Sequence, residues 1–279
     1  MKKTTTKKVF LITGCASGIG KELACQLAKE GHLITATDID IRGLHDAYRE
    51  FGWNSDQVLI RRLDITNHAD WKNKVSQTIK KWGRIDVLIN AAAYIKPSFC
   101  YDSTPLEISR QVDTNVKGVM LGTLAVSNEM KKIGSGHIIN LSSMAGVAPI
   151  PGISHYTATK FAIRGFSLAS AQELRPWGIY VTVVCPGAVR TPLLEKQSDI
   201  DAAAMMFTGS SIMNVDKIVK IIINKVIKKK PLEVLVPRGM SITAKFISVF
   251  PSLILLLSER MMQKGKRHQK IAKEIVFKN

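Results

Sequence analysis

Short apolar runs alternate with longer amphipathic stretches along most of the 279-residue chain. Val9-Phe10-Leu11-Ile12 reads as a buried strand, and the turn Thr13-Gly14-Cys15-Ala16-Ser17-Gly18-Ile19-Gly20 opens a helix that continues through residues 21–28. Residues 33–37 predict a second strand ending at Asp38, and residues 58–63 a third ending at Asp64. A helix over 69–82 stops at Gly83, and a fourth strand over 85–90 runs into Ala91-Ala92-Ala93. One long helix is expected over 105–130, then a fifth strand over 137–141 that ends in Ser142-Ser143. A helix carrying Tyr156 and Lys160 precedes a sixth strand over 180–185, which Pro186-Gly187 breaks. Residues 215–228 read as a helix and 232–236 as a final strand. This alternation predicts an α/β fold. It is a doubly wound parallel sheet with helices on both faces and ligands at the carboxyl ends of its strands.

Composition narrows this picture. With 46% hydrophobic residues the chain can bury a large core. The division expected is a catalytic domain over 1–238 and a hydrophobic, basic extension over 239–279. Within the domain, the weakly patterned segment 192–213 reads as an apolar cover over a pocket or as a surface helix pair. Four scattered cysteines, Cys15, Cys25, Cys100 and Cys185, have no metal-ligand spacing, so no metal is expected and a reducing, cytoplasmic setting fits. The first eight residues enter the first strand directly, with no apolar run long enough for a signal peptide.

The candidate chemistry lies at the strand ends. Gly14 allows a sharp turn, Gly18 leaves room for a diphosphate, and Gly20 lets helix and strand pack closely. Amides at the helix start, with the positive end of its dipole, suit phosphate. A glycine-rich turn with no ligand is the plainer alternative. Asp38 is placed to accept both hydroxyls of an adenosine ribose and to repel a 2′-phosphate, which favours NAD over NADP. Arg42 stands near enough to blunt that preference. Tyr156 and Lys160 are four apart and share a helix face. A phenol has a pKa of about 10, and a neighbouring ammonium is expected to draw it toward neutrality. Tyr156 then exchanges a proton with an alcohol or carbonyl oxygen to which Ser143 donates a hydrogen bond.

These motifs together, over residues 9–237, resemble the short-chain dehydrogenase/reductase family, whose fold is of the Rossmann type. The resemblance implies a catalytic set of Asn115, Ser143, Tyr156 and Lys160, with Asn115 holding a water that links Lys160 to solvent. It implies cofactor contacts from Thr13, Gly14, Ser17, Gly18, Ile19 and Gly20 in the turn, and from Asp38, Asp64 and Ile65 at the next strand ends. Asn90, Ala91 and Ala92 follow, then Tyr156 and Lys160 at the nicotinamide ribose, then Pro186, Gly187, Val189 and Thr191 near the carboxamide. One departure is visible: the family's Asn-Asn-Ala-Gly stands here as Asn90-Ala91-Ala92-Ala93. The helices around Asn115 and Tyr156 are, by the same likeness, those that pair in homodimers and homotetramers.

The net charge of +18 is unevenly spread: residues 214–279 hold 15 Lys and Arg against 4 Asp and Glu, and the rest of the chain 25 against 18. The excess sits beside the apolar stretch 246–257, which Pro251 interrupts and which is too short for a clean span. An interfacial membrane contact within residues 240–262 is therefore expected, making the protein peripherally membrane-associated. A lid or subunit contact is the alternative. Nucleic acid ranks below both, because no recognition module is visible. The reading is an NAD-dependent oxidoreductase that interconverts a secondary alcohol and a ketone on a lipophilic substrate. Its rivals are an oxidoreductase for a small polar alcohol or ketone, with His155 and Gln197 as cleft groups, and a catalytically idle NAD-binding scaffold at a membrane.

Overall fold

The computed structural model describes residues 7–208 and 212–276. The first six residues, three residues of the cover at 209–211 and the last three of the extension lie outside these. Among the described residues seven strands form one parallel sheet: β1 (Val9–Thr13), β2 (Leu33–Asp38), β3 (Val58–Arg62), β4 (Val87–Asn90), β5 (Gly136–Leu141), β6 (Ile179–Pro186) and β7 (Glu233–Val236). Their order is β3-β2-β1-β4-β5-β6-β7. Phe10 of β1 lies opposite Ile34 on one side and Val87 on the other. The chain therefore reverses its winding between β1 and β4, and the crevice beyond their carboxyl ends is where such sheets hold ligands.

Both faces of the sheet are covered. On one, α1 (Gly18–Lys29), α2 (Ile41–Glu50) and α8 (Val215–Ile221) with the π turn that follows it, Ile222–Ile227, bury Leu23, Leu27, Leu44, Ile218 and Ile222 against Phe10, Ile12 and Ile34. On the other, α3 (His68–Trp82) and α5 (Gly118–Ile133) pack Trp71, Val126 and Met130 on Leu11, Leu88 and Ile138. Strands that are apolar on both sides cannot face water, so this double cover follows from their composition. Helix α2 adds to the elements expected from the sequence: Asp40 caps it by accepting from Gly43, and it buries Leu44 and Ala47.

The single helix expected over 105–130 is not one helix. α4 (Pro105–Val112) opens into a π-helical turn, Asp113–Lys117, before α5 continues to Ile133. Thr104 and Glu107 close a capping box at its start. The π turn carries Asn115, whose side chain pairs with the backbone of Tyr94 as a strand neighbour would: it accepts from the Tyr94 amide at 2.8 Å and donates to the Tyr94 carbonyl at 2.7 Å. That pairing is the reason for the local widening, since π turns mark places where a helix yields to a specific tertiary contact. α6 (Ser154–Leu174) then runs unbroken for 21 residues behind β5 and β6.

After β6 come a short α7 (Pro192–Glu195) and a 3-10 segment, Asp201–Phe207. The extension forms α9 (Arg238–Val249) and α10 (Leu253–Ile271), with a π turn, Ala272–Val276, at its end. The apolar stretch 240–262 is thus divided between two helices, with the break at Phe250–Ser252 where proline denies an amide. No helix among the described residues is long and apolar enough to cross a membrane.

Candidate active site

A cavity of about 680 Å³ occupies the crevice at the switch point. β1 ends at Thr13, whose Oγ1 accepts from the amides of Ala91 and Ala92 at 3.0 and 3.1 Å, tying the glycine turn to the loop after β4. Gly14 has φ +75°, and a Cβ there would fall 2.9 Å from the Ala92 backbone. Gly20 lets α1 lie directly on the carbonyl of Gly14. α1 begins at Ser17 without a side-chain cap, unlike α2, α3 and α4, and Ser17, Gly18, Ile19 and Gly20 all line the cavity. An uncapped helix start facing a cavity, beside a turn with no room for side chains, fits a diphosphate.

Asp38 lines the cavity beside the glycine turn. Its Oδ2 accepts from the Ala16 amide and its Oδ1 from the Asp40 amide, both at 3.0 Å, so the carboxylate is held at the cavity wall with lone pairs to spare. Arg42 is exposed and does not line the cavity. Asp64 accepts from the amide and hydroxyl of Thr66 at 2.9 and 2.7 Å, and it lines the wall with Ile65. Pro186, Gly187, Val189 and Thr191 line the far side.

The groups expected to react sit where β5 meets α6. Ser142 and Ser143 both line the cavity with Tyr156, but the Ser142 hydroxyl is committed to the helix backbone, donating to the Lys160 carbonyl at 2.8 Å. Lys160 is 2% exposed; its Nζ donates to the Leu141 carbonyl at 2.9 Å and stands 5.4 Å from the centre of the Tyr156 ring. Burial dominates the ionisation of both. It pulls the Lys160 ammonium down to about 8, slightly opposed by Cys185, and it pushes the Tyr156 phenol above its ordinary value, with the Ser143 hydrogen bond acting the other way. The expectation that Lys160 by itself draws Tyr156 toward neutrality is therefore corrected. The ammonium bonds a backbone carbonyl and faces the ring, while burial outweighs the Ser143 hydrogen bond at the phenol oxygen.

Two expected site residues do not reach the cavity. Asn90 turns inward, donating to Asn140 Oδ1 at 2.8 Å, and Asn140 donates on to Ser167 at 2.9 Å, so this chain of amides stitches β4, β5 and α6 together. Asn115 is fully buried between Tyr94 and Thr159, to whose Oγ1 it donates at 3.1 Å, and the Thr159 hydroxyl donates to the Tyr156 carbonyl at 2.7 Å. Its side chain thus supports the first turn of the catalytic helix. Every other expected site residue lines the cavity.

The cavity lining also includes the apolar side chains Ile95, Ile150, Ile153, Met205, Met206 and Met240. Sequence patterning missed the first three because they lie on irregular loops. His155 and Gln197 are not part of the lining. Gln197 is buried, donating to the Leu193 carbonyl at 3.0 Å, and its own carbonyl accepts from Gln269 of α10 at 3.0 Å. Gln269 also donates to Ile200 at 2.9 Å, and Ala272 joins Leu194, Ala203 and Phe207 in one apolar cluster. The cover over 192–208 is therefore itself held down by the extension.

Comparison with known proteins places this arrangement. Residues 8–201 match the family model described as short chain dehydrogenase. The chain is 33% identical over 206 residues to a cyclopentanol dehydrogenase of Comamonas sp. (strain NCIMB 9872), covering 74% of this chain and 82% of that one. It is 36% identical over 189 residues to a 3-alpha-(or 20-beta)-hydroxysteroid dehydrogenase of Mycobacterium tuberculosis, covering 67% and 71%. The crystal structure of a 3-ketoacyl-(acyl-carrier-protein) reductase from Brucella melitensis, complexed with NADH, superimposes with a TM-score of 0.74 at 29% identity over 84% of this chain and 98% of that one. With strand order, cavity and sequence in agreement, the chain belongs to the short-chain dehydrogenase/reductase family of oxidoreductases.

Proposed function

We propose that this enzyme is an NAD-dependent oxidoreductase that interconverts a secondary alcohol and a ketone, with a lipophilic compound as its substrate. The observation that carries the reading is the convergence of Ser143, Tyr156 and Lys160 with an uncapped helix start and a fixed Asp38 on one cavity. A bound nicotinamide dinucleotide supplies the acceptor or donor of hydride. In oxidation Tyr156 Oη takes the proton of the substrate hydroxyl, and Ser143 donates to the same oxygen. The Ser143 hydrogen bond favours the phenolate, and Lys160, cationic below about pH 8, holds the ribose side of the site. Asn115 keeps the first turn of α6 in place.

NAD is preferred in this reading because Asp38 would face a 2′-phosphate and Arg42 is turned to solvent. A lipophilic substrate is supported by Ile95, Ile150, Ile153, Met205, Met206 and Met240 in the cavity lining, and the small-polar alternative loses its two candidate groups, His155 and Gln197. Self-association as a homodimer or homotetramer is supported by exposed Leu106, Val112, Met120 and Leu124 on α4 and α5. The test is a turnover screen pairing NAD and NADP with lipophilic secondary alcohols and small polyols, repeated on Tyr156→Phe. The variant should lose about a hundredfold or more in kcat while binding NAD as the wild type does. A variant within tenfold of wild type overturns the mechanism. Turnover of polyols alone would overturn the substrate class, and tight NAD binding without any turnover would leave an idle scaffold.

A further inference from the structure

The extension leaves an unusual surface. Ile242, Phe246 and Val249 recur at i, i+4 and i+7 on α9, so they share one face, and that face is turned away from the protein. The opposite face buries Ala244 and Ile247 and brings Met240 to the wall of the catalytic cavity. Phe250 packs on Phe246 with ring centres 4.9 Å apart, and after the Pro251 bend α10 begins with Leu255 and Leu256. Ile242, Leu255 and Leu256 are 75%, 78% and 76% exposed. Six large apolar side chains within fifteen residues form a knuckle that a protein free in water rarely presents.

Charge continues the pattern. On α10 Leu256 is followed at helical spacing by Arg260, Lys264 and Arg267, which fall on one outward stripe. The opposite stripe, Gly265, Gln269 and Ala272, seats on the cover. Residues 238–276 hold eight Lys and Arg against two Asp and Glu. Lys245 is paired with Glu233 at 3.4 Å and Lys266 with Asp201 at 3.3 Å, whereas Arg238, Arg260, Lys264 and Arg267 make no ion pair among the described residues. An apolar tip bordered by unpaired cations matches the boundary between acyl chains and anionic headgroups, and no described helix is long and apolar enough to cross it.

We infer that the α9–α10 knuckle docks the enzyme on an anionic bilayer, with Phe246, Leu255 and Leu256 in the acyl boundary and the α10 cations on the headgroups. This deepens the lipophilic-substrate reading, because Met240 places the cavity wall on the back of the docking helix. The docking itself does not depend on that reading, and the experiment is chosen to keep the two apart. Full-length protein is sedimented with phosphatidylcholine vesicles with and without phosphatidylglycerol, at low and high salt. Wild type should pellet with the anionic vesicles, less with the neutral ones, and less again in high salt. The variant Phe246→Ser/Leu255→Ser/Leu256→Ser should lose at least about tenfold in vesicle affinity while keeping its melting temperature. Arg260→Gln/Lys264→Gln/Arg267→Gln, which leaves the apolar tip intact, should lose the preference for anionic lipid. Wild type that stays in solution with both vesicles, or a serine variant that pellets like wild type, overturns the inference. Light scattering adds one more overturning outcome: an oligomer that the serine variant dissolves, with no vesicle binding, makes the knuckle a contact between copies. None of these readings requires turnover, so a failed activity screen leaves them intact.

Discussion

Lys160 shows how one residue acquires its chemistry from its surroundings. In a helix sequence it is an ordinary lysine four places after a tyrosine; in the protein it is buried, and burial pulls it from 10.5 down to about 8. Between those two values the unfolded chain binds the proton and the folded one does not, so stability rises with pH across that window. Below about pH 8 both states are protonated and the full penalty, about 3 kcal/mol for the shift, is present. Without cofactor, the wild type should therefore gain on a Lys160→Met variant, by up to about 3 kcal/mol, as pH climbs from 8 toward 10.5. Chemical denaturation along a pH series measures this, and a flat difference would mean the ammonium is solvated. Ser142 and Ser143 make a related point. They are adjacent and chemically identical, both at the cavity wall, and only the fold commits the Ser142 hydroxyl to the α6 backbone.

At the scale of elements, strands and helix starts were legible because their causes are local. Four or five apolar residues bounded by turn residues leave little choice, and the predicted ends of β2, β5 and β6 fall within a residue or two of those observed. Local patterning failed where a distant partner decides. The π turn at Asp113–Lys117 exists because Asn115 pairs with Tyr94, 21 positions earlier. The cover lacks a periodic pattern because much of its apolar surface is met by α10, and Gln269 reaches its carbonyls across 69 and 72 positions. Gln269→Leu leaves the Gln197 and Ile200 carbonyls without that donor, at about 1–3 kcal/mol each if they stay buried. Steady-state kinetics should show KM for the substrate raised by about tenfold, with kcat and NAD affinity little changed, because the cover is loosened and the reactive groups are not. An unchanged KM would mean that the cover holds its shape unaided.

For the whole molecule, the cleft is an emergent property: loops after β1, β2, β3, β4, β5 and β6 enclose a volume that belongs to none of them. A ligand that binds there only when all are in place must stabilise the entire fold. At a hundredfold excess over its Kd, NAD should contribute about 2.7 kcal/mol, raising the melting temperature by roughly 5 °C or more. NADP should raise it less, and Asp38→Ala should narrow that gap, since the carboxylate opposes the extra phosphate. Equal shifts by both dinucleotides in the wild type would remove Asp38 as the discriminator. By itself the sequence determined the parallel sheet, the place of the glycine turn and which side chains are candidates for the reaction. Those depend on neighbours within a few residues and on the fixed geometry of helices and strands. The inward turn of Asn90, the ionisation of Tyr156 and Lys160, the apolar lining and the grip of α10 on the cover were decided only by the tertiary structure. Each depends on burial and on partners far apart in the chain, and no local pattern carries that information.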